Sequence, residues 1–210
     1  MFIKTHEVLY LHPGKCGGTS VEKWLAKVCD LPDFKLIPKS DYGIGHDLEH
    51  LFGLHEGAFI QHADFLHSMA LLRRWHPDVD PYKIYTFATV RDPIARLKSA
   101  FKYSGMWKRT DLNTFVLNEL ENKSQQPCSH FLPQNRYTHI KGKQVVDKVI
   151  KLEHLDRDIS KIAEVLNVED TPMERANKSP LQIQLELSDE AKAKVLEVYY
   201  TDYALYGYSG

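Results

Sequence analysis

The sequence predicts an α/β fold of three layers, with a central, mostly parallel sheet and helices on both faces. Two observations predict it. Strand-like apolar runs at His6–His12, Lys83–Val90 and Val145–Leu155 alternate with segments whose apolar residues recur at helical spacing. Successive strands joined through a helix run parallel, and such sheets are covered on both sides. A chain of 210 residues suffices for one well-buried domain and is short for two, so residues 1–210 read as one.

Composition narrows the class. Lys and Arg number 27 against 28 Asp and Glu, so no global basic field favours a nucleic-acid partner. No run approaches the length of a membrane span, and no charged-then-apolar leader opens the chain. Cys16, Cys29 and Cys128 are odd in number and lack C-x-x-C spacing. They suggest neither a zinc site nor a disulfide framework, and a cytoplasmic protein is expected.

The first strand runs into HPGKCGGTSVEKWL, His12–Leu25. Val21, Trp24, Leu25 and Val28 form one helical face, so the string is strand, loop, helix, with the helix ending near Cys29. Unpaired amides and the helix dipole at such a junction suit an anion, most often a phosphate. Gly17 and Gly18 allow close backbone approach, Thr19 and Ser20 add hydroxyls, and Lys15 adds a mobile cation. A Gly-rich turn that only caps the helix is the plain alternative. The widespread phosphate loop G-x-x-x-x-G-K-[ST] has lysine directly before the hydroxyl residue. Here Lys15 comes first, and that template fails.

The order Lys-x-Gly-Gly-Thr-Ser instead resembles the 5′-phosphosulfate loop of sulfotransferases that use 3′-phosphoadenosine 5′-phosphosulfate (PAPS). Gly14 and Cys16 stand where that family usually has Pro and Thr. The resemblance implies that Lys15, Cys16, Gly17, Gly18, Thr19 and Ser20 hold the 5′ end of the donor. Cys16, beside a cation and a helix terminus, also invites a nucleophilic reading.

From Asp30 to Gly57 the chain carries Pro32, Pro38, Gly43, Gly45 and Gly53, a long connection with at most a short strand near Phe34–Ile37 and a short helix near Asp47–Phe52. A short apolar run, Ala58–Gln61, ends at His62, and a helical pattern follows from Asp64, expected to cap it, to about Trp75. The strand Lys83–Val90 then enters RDPIARLKSAF, Arg91–Phe101. Pro93 suits a first helical turn and Asp92 can cap it. Ile94, Leu97 and Phe101 make the buried stripe, with Ser99 roughly opposite. Arg91, Asp92, Pro93, Arg96 and Ser99 match the R-D-P-x-x-R-x-x-S segment of the same family. That match implies Arg91 and Ser99 on the 3′-phosphate of the donor, a task for which guanidinium is suited by its bidentate fork. Asp92 and Arg96 are expected to be structural, as cap and ion-pair partner.

A helix from about Asp111 to Glu121 precedes His130–Lys143, where His130, Gln134 and Arg136 interleave with aromatics. This is a solvated loop or an edge that binds a polar or anionic acceptor; His130, Pro133 and Gln134 resemble a segment of some carbohydrate sulfotransferases. After the third strand come a helix from Asp156 to about Asn167, buried through Ile159, Ile162 and Leu166, and a turn-rich loop, Asn177-Lys178-Ser179. In related enzymes a late loop closes over the adenosine of the donor, which implicates Lys178 and Ser179. Ser188 caps a last helix before a Tyr-rich tail, Tyr199–Tyr208, expected to pack against the sheet.

Ligands of such sheets sit beyond the carboxyl ends of the strands. With Leu11, Gln61 and Val90 as strand ends, His12, Lys15, His62, Arg91 and Ser99 converge on one crevice. The resemblance covers most of the chain and implies the P-loop NTPase-like sulfotransferase fold, with PAPS as donor and 3′-phosphoadenosine 5′-phosphate (PAP) as product. Sulfuryl transfer needs in-line placement, a cation at the leaving oxygen and a base for the acceptor proton. Lys15 supplies the cation, and no metal is expected. His62 is the expected base, because a histidine before a similar Asp-Phe pair is catalytic in the heparan sulfate 2-O-sulfotransferase group; His12, His55, Glu56 and His130 are alternatives. The expected acceptor is a carbohydrate-like hydroxyl, with a small molecule second. A P-loop nucleotide kinase and a noncatalytic nucleotide-binding module are the competing classes.

Overall fold

The computed structural model describes residues 1–31, the backbone of 54–55 and 58–59, and residues 62–126, 129–174 and 183–209. The short elements expected near Phe34–Ile37 and Asp47–Phe52 lie outside these, as do Glu56, Gln61, Cys128, Lys178, Ser179 and the side chain of His55.

In chain order the elements are β1 (Phe2–Ile3), β2 (Val8–Leu11), α1 (Gly18–Val28), β3 (Leu54–His55), β4 (Ala58–Phe59), α2 (Phe65–Trp75), β5 (Tyr85–Val90) and α3 (Pro93–Tyr103). There follow α4 (Leu112–Asn118), α5 (Leu120–Gln125), α6 (Asn135–Thr138), β6 (His139–Ile140), β7 (Lys143–Gln144), β8 (Lys148–Lys151), α7 (Leu155–Asp158), α8 (Ser160–Leu166), α9 (Asp189–Val198) and α10 (Tyr200–Tyr206). The central sheet has the order β1-β2-β5-β8. Strands β2, β5 and β8 are parallel, and β1 folds back antiparallel on β2. This is the predicted mostly parallel sheet.

Alternation along each strand sorts the core into two layers. Val8, Tyr10, Phe87 and Ile150 face α1, α7 and α8, where they meet Val21, Trp24, Leu25, Ile159, Ile162 and Ala163. On the other face Leu9, Leu11 and Ala88 meet Leu72 of α2 and Tyr137 of α6. Both faces are therefore dry, as a parallel sheet requires. The caps read from sequence are formed: Asp64 accepts from the His67 amide at 3.0 Å, Asp92 from Ala95 at 2.7 Å and Ser188 from Ala191 at 3.2 Å.

Four expectations are corrected. Ala58–Phe59 pairs with Leu54–His55 in a separate two-stranded sheet, so the strand expected before His62 is not part of the central sheet. The expected helix over Asp111–Glu121 is two helices, because the backbone of Glu119 leaves the helical region at φ −121°. The tyrosines of the tail pack against helices instead of the sheet, whose faces α2, α6, α1 and α8 already cover. Tyr199 and Tyr203 join Leu97, Phe101, Phe115 and Val195, while the Tyr206 hydroxyl bonds Thr138 of α6. Arg96 forms no ion pair among the described residues; it is buried, donates to the His130 carbonyl at 2.9 Å and lies over the Tyr199 ring. Among the described residues no helix is long and apolar enough to cross a membrane.

Candidate active site

The loops after β2, β5 and β8 all leave the carboxyl edge of the sheet, and a crevice of about 550 Å³ opens there. It is lined by His12, Lys15, Gly17, Gly18, Thr19 and Ser20 from the first loop and helix, and by Arg91, Ser99 and Tyr103 from the second. His62 and His130 close one side; Leu152, Glu153, Leu155 and Asp156, after β8, close the other. The two motifs share this crevice, and Arg91 Nη1 donates to the Lys15 carbonyl at 3.4 Å.

The first loop is shaped by its glycines. Gly17 is the N-cap of α1 at φ +82°, and a Cβ there would meet Leu152 Cδ1 at 2.6 Å. Among the described residues no side chain caps α1. The opening residues of this 11-residue helix, Gly18, Thr19 and Ser20, line the crevice, at the positive end of its dipole. Lys15 adopts φ +69°, a left-handed conformation that costs a non-glycine residue about 1–2 kcal/mol. Its Nζ lies 4.0 Å from the Tyr103 ring centroid. Any Cβ on Gly18 would overlap the His12 imidazole. Gly18→Ala is therefore expected to destabilise the fold by about 1–3 kcal/mol, read as a lower urea midpoint with unchanged slope.

Behind the loop, buried groups tie the motifs together. Gln134 Oε1 accepts from the Arg91 amide at 2.7 Å and from Cys16 Sγ at 3.1 Å, and its Nε2 donates to the Arg91 carbonyl at 2.9 Å. Asp202 in turn accepts from the Gln134 and Asn135 amides, each at 2.8 Å. Of the three residues read as acceptor-binding, only His130 lines the crevice. Gln134 is fully buried, and Arg136 lies outside the crevice, beside Asp64. The nucleophilic reading of Cys16 also fails. Its thiol is fully buried and pushed up to about 12, chiefly by loss of solvent, so no thiolate forms near neutral pH.

His62 sits in the turn before α2 and is almost wholly buried. Its Nδ1 is 2.9 Å from the His12 carbonyl, which can only accept, so Nδ1 carries the proton and the neutral ring has its lone pair on Nε2. Burial, then the neighbouring His12 and His130, hold its pKa well below 6.5. The ring centroids stand 4.6 Å from His12 and 4.9 Å from His130, both edge-on. Near neutral pH the ring is therefore a neutral proton acceptor.

Sequence reasoning missed Tyr103 and the segment after β8. Tyr103 could have been found, since it stands one helical turn beyond Ser99 on the same face. The Leu152–Asp156 segment carried no motif.

A sequence profile described as the sulfotransferase family matches residues 1–209. Among solved structures, the crystal structure of a sulfotransferase from Alicyclobacillus acidocaldarius superposes with a TM-score of 0.54 at 17% identity, covering 97% of this chain and 96% of that one. At that identity the likeness speaks to the fold. No curated protein matches.

Proposed function

This chain belongs to the sulfotransferase family, and on that premise we propose that it transfers a sulfuryl group from PAPS to a hydroxyl of a carbohydrate-like acceptor, in line and without a metal. It acts as one domain over 1–210, in the cytosol. The supporting observation is that the phosphate loop and the Arg91–Ser99 pair line one crevice, of a volume typical for a small-molecule site. A nucleotide phosphorylated at both ends finds a cation and at least one hydroxyl at each: Lys15 with Thr19 and Ser20, and Arg91 with Ser99. When bound, the donor supplies a sulfuryl group on a phosphate leaving group.

The residues divide the remaining work. Lys15 and the α1 amides hold the 5′ end and offset charge as it develops on the leaving oxygen. Arg91 and Ser99 grip the 3′-phosphate, Arg91 through its bidentate fork. Gln134, bonded to both the amide and carbonyl of Arg91, keeps that residue in register with the loop. His62 accepts the acceptor proton at Nε2. His130, beside His62 in the crevice wall, is the polar group placed to meet the acceptor. The base resembles that of the heparan sulfate 2-O group, which favours a carbohydrate over a small alcohol.

Differential thermal stabilisation tests the donor. PAP is expected to raise the melting temperature and ATP is not. Arg91→Ala should weaken PAP by about ten- to a hundredfold, the worth of a charged hydrogen-bonded contact. Stabilisation by ATP alone would assign the crevice to another nucleotide.

A further inference from the structure

His12 is not built as an acceptor-side base. Its Nδ1 lies 2.9 Å from Glu22 Oε1, and the two side chains are only 5% and 4% exposed. Glu22 projects from α1 behind the loop and is not part of the crevice wall. The other ring nitrogen, Nε2, stands directly over Gly18 at the start of α1, on the wall that presents the helix amides. One edge of the ring is thus taken by a buried carboxylate and the other faces the phosphate end of the crevice.

The charged and titratable groups around this ring come from every neighbouring element. Tyr10 of β2 stacks on it at 5.8 Å between centroids, His62 meets it edge-on, and Lys15 belongs to its own loop. His130, Arg91, Glu153 and Asp156 complete the crevice. Glu22 is the acid bonded to it. A carboxylate on Nδ1 fixes the tautomer and stabilises the doubly protonated ring.

Resting on the donor reading above, we propose that His12 is a second catalytic residue: balanced by Glu22, it takes up a proton at Nε2 when the anionic donor binds, and donates that N–H to the oxygen bridging phosphorus and sulfur. As the bridging S–O bond breaks, its electron pair stays on the 5′-phosphate oxygen, facing the Nε2–H. The new S–O bond forms to the acceptor oxygen, whose proton passes to His62. Glu22 touches no reactant and is a positioning residue. Because His62 Nδ1 donates to the His12 backbone carbonyl, proton donor and base belong to one buried unit.

Calorimetric titration with PAP at about pH 8, in two buffers of different ionisation enthalpy, reads the proton directly. The wild type is expected to take up about one proton per PAP bound. His62→Asn should keep that uptake. Glu22→Gln preserves the side-chain shape and an acceptor for Nδ1–H while removing the charge. It should abolish most of the uptake, lower kcat at least about tenfold, and move the alkaline limb of kcat to lower pH, since an unbalanced imidazolium loses its proton more readily. Binding of PAP without proton uptake overturns the inference and leaves the donor reading standing, as does loss of uptake in His62→Asn. An alkaline limb unmoved in Glu22→Gln also overturns it. Failure of PAP to bind the wild type removes both.

Discussion

His62→Ala is expected to lower kcat by about a hundred- to ten-thousandfold, the usual worth of a placed general base, while PAP still binds to the folded variant. The ring's Nδ1 is committed to the His12 carbonyl, and only Nε2 bears a lone pair in the neutral state. Burial and two neighbouring histidines depress its pKa well below 6.5, so the basic form prevails at neutral pH and activity is lost as the solution is made acidic. A bound anionic donor opposes that depression. The acid limb of kcat, which reports the complex, should therefore lie at higher pH than that of kcat/KM, which reports the free enzyme. The same depression acts on stability: a histidine buried neutral contributes fully above its unfolded pKa, and the contribution is lost as pH falls through the folded one. Full turnover by His62→Ala would hand the base to His130 or another group.

Much of this was legible because short-range rules governed it. Asp64, Asp92 and Ser188 cap helices where their spacing to the following apolar residues said they would. Continuous apolar runs alternating with helical segments placed β2 and β5 in a sheet covered on both faces. Long-range partnerships were not legible. Gln134 read as an acceptor ligand because His130, Pro133 and Gln134 resemble a segment of some carbohydrate sulfotransferases. Its burial depends on Cys16 and Arg91, which lie 118 and 43 residues away. Likewise, the tail tyrosines pattern as a packing surface, yet nothing local says that α3 and α4, and not the sheet, receive them. The Ala58–Gln61 run was assigned to the wrong sheet for the same reason: so short a run carries no information about which edge it pairs with.

Lys15→Ala should cost about a hundred- to a thousandfold in kcat, the effect of deleting one charge-stabilising donor from a preorganised site, with no comparable loss of fold. The lysine backbone is held at φ +69° by the turn, and alanine accepts that conformation no worse, so the change is confined to the side chain. Nζ rests 4.0 Å over the Tyr103 ring, an aromatic face that holds the cation inside the crevice. Lys15→Arg should recover little, because a planar fork fills the space above Tyr103 differently from a compact ammonium. The substitution carries a second signature. Lys15 is one of the charges that hold the His62 pKa down, although a smaller one than burial or the two histidines. Its removal should raise that pKa and shift the acid limb of the residual activity to higher pH. A variant that loses rate without moving the limb would place Lys15 away from His62, and one that keeps kcat within about twofold would remove it from the leaving oxygen altogether.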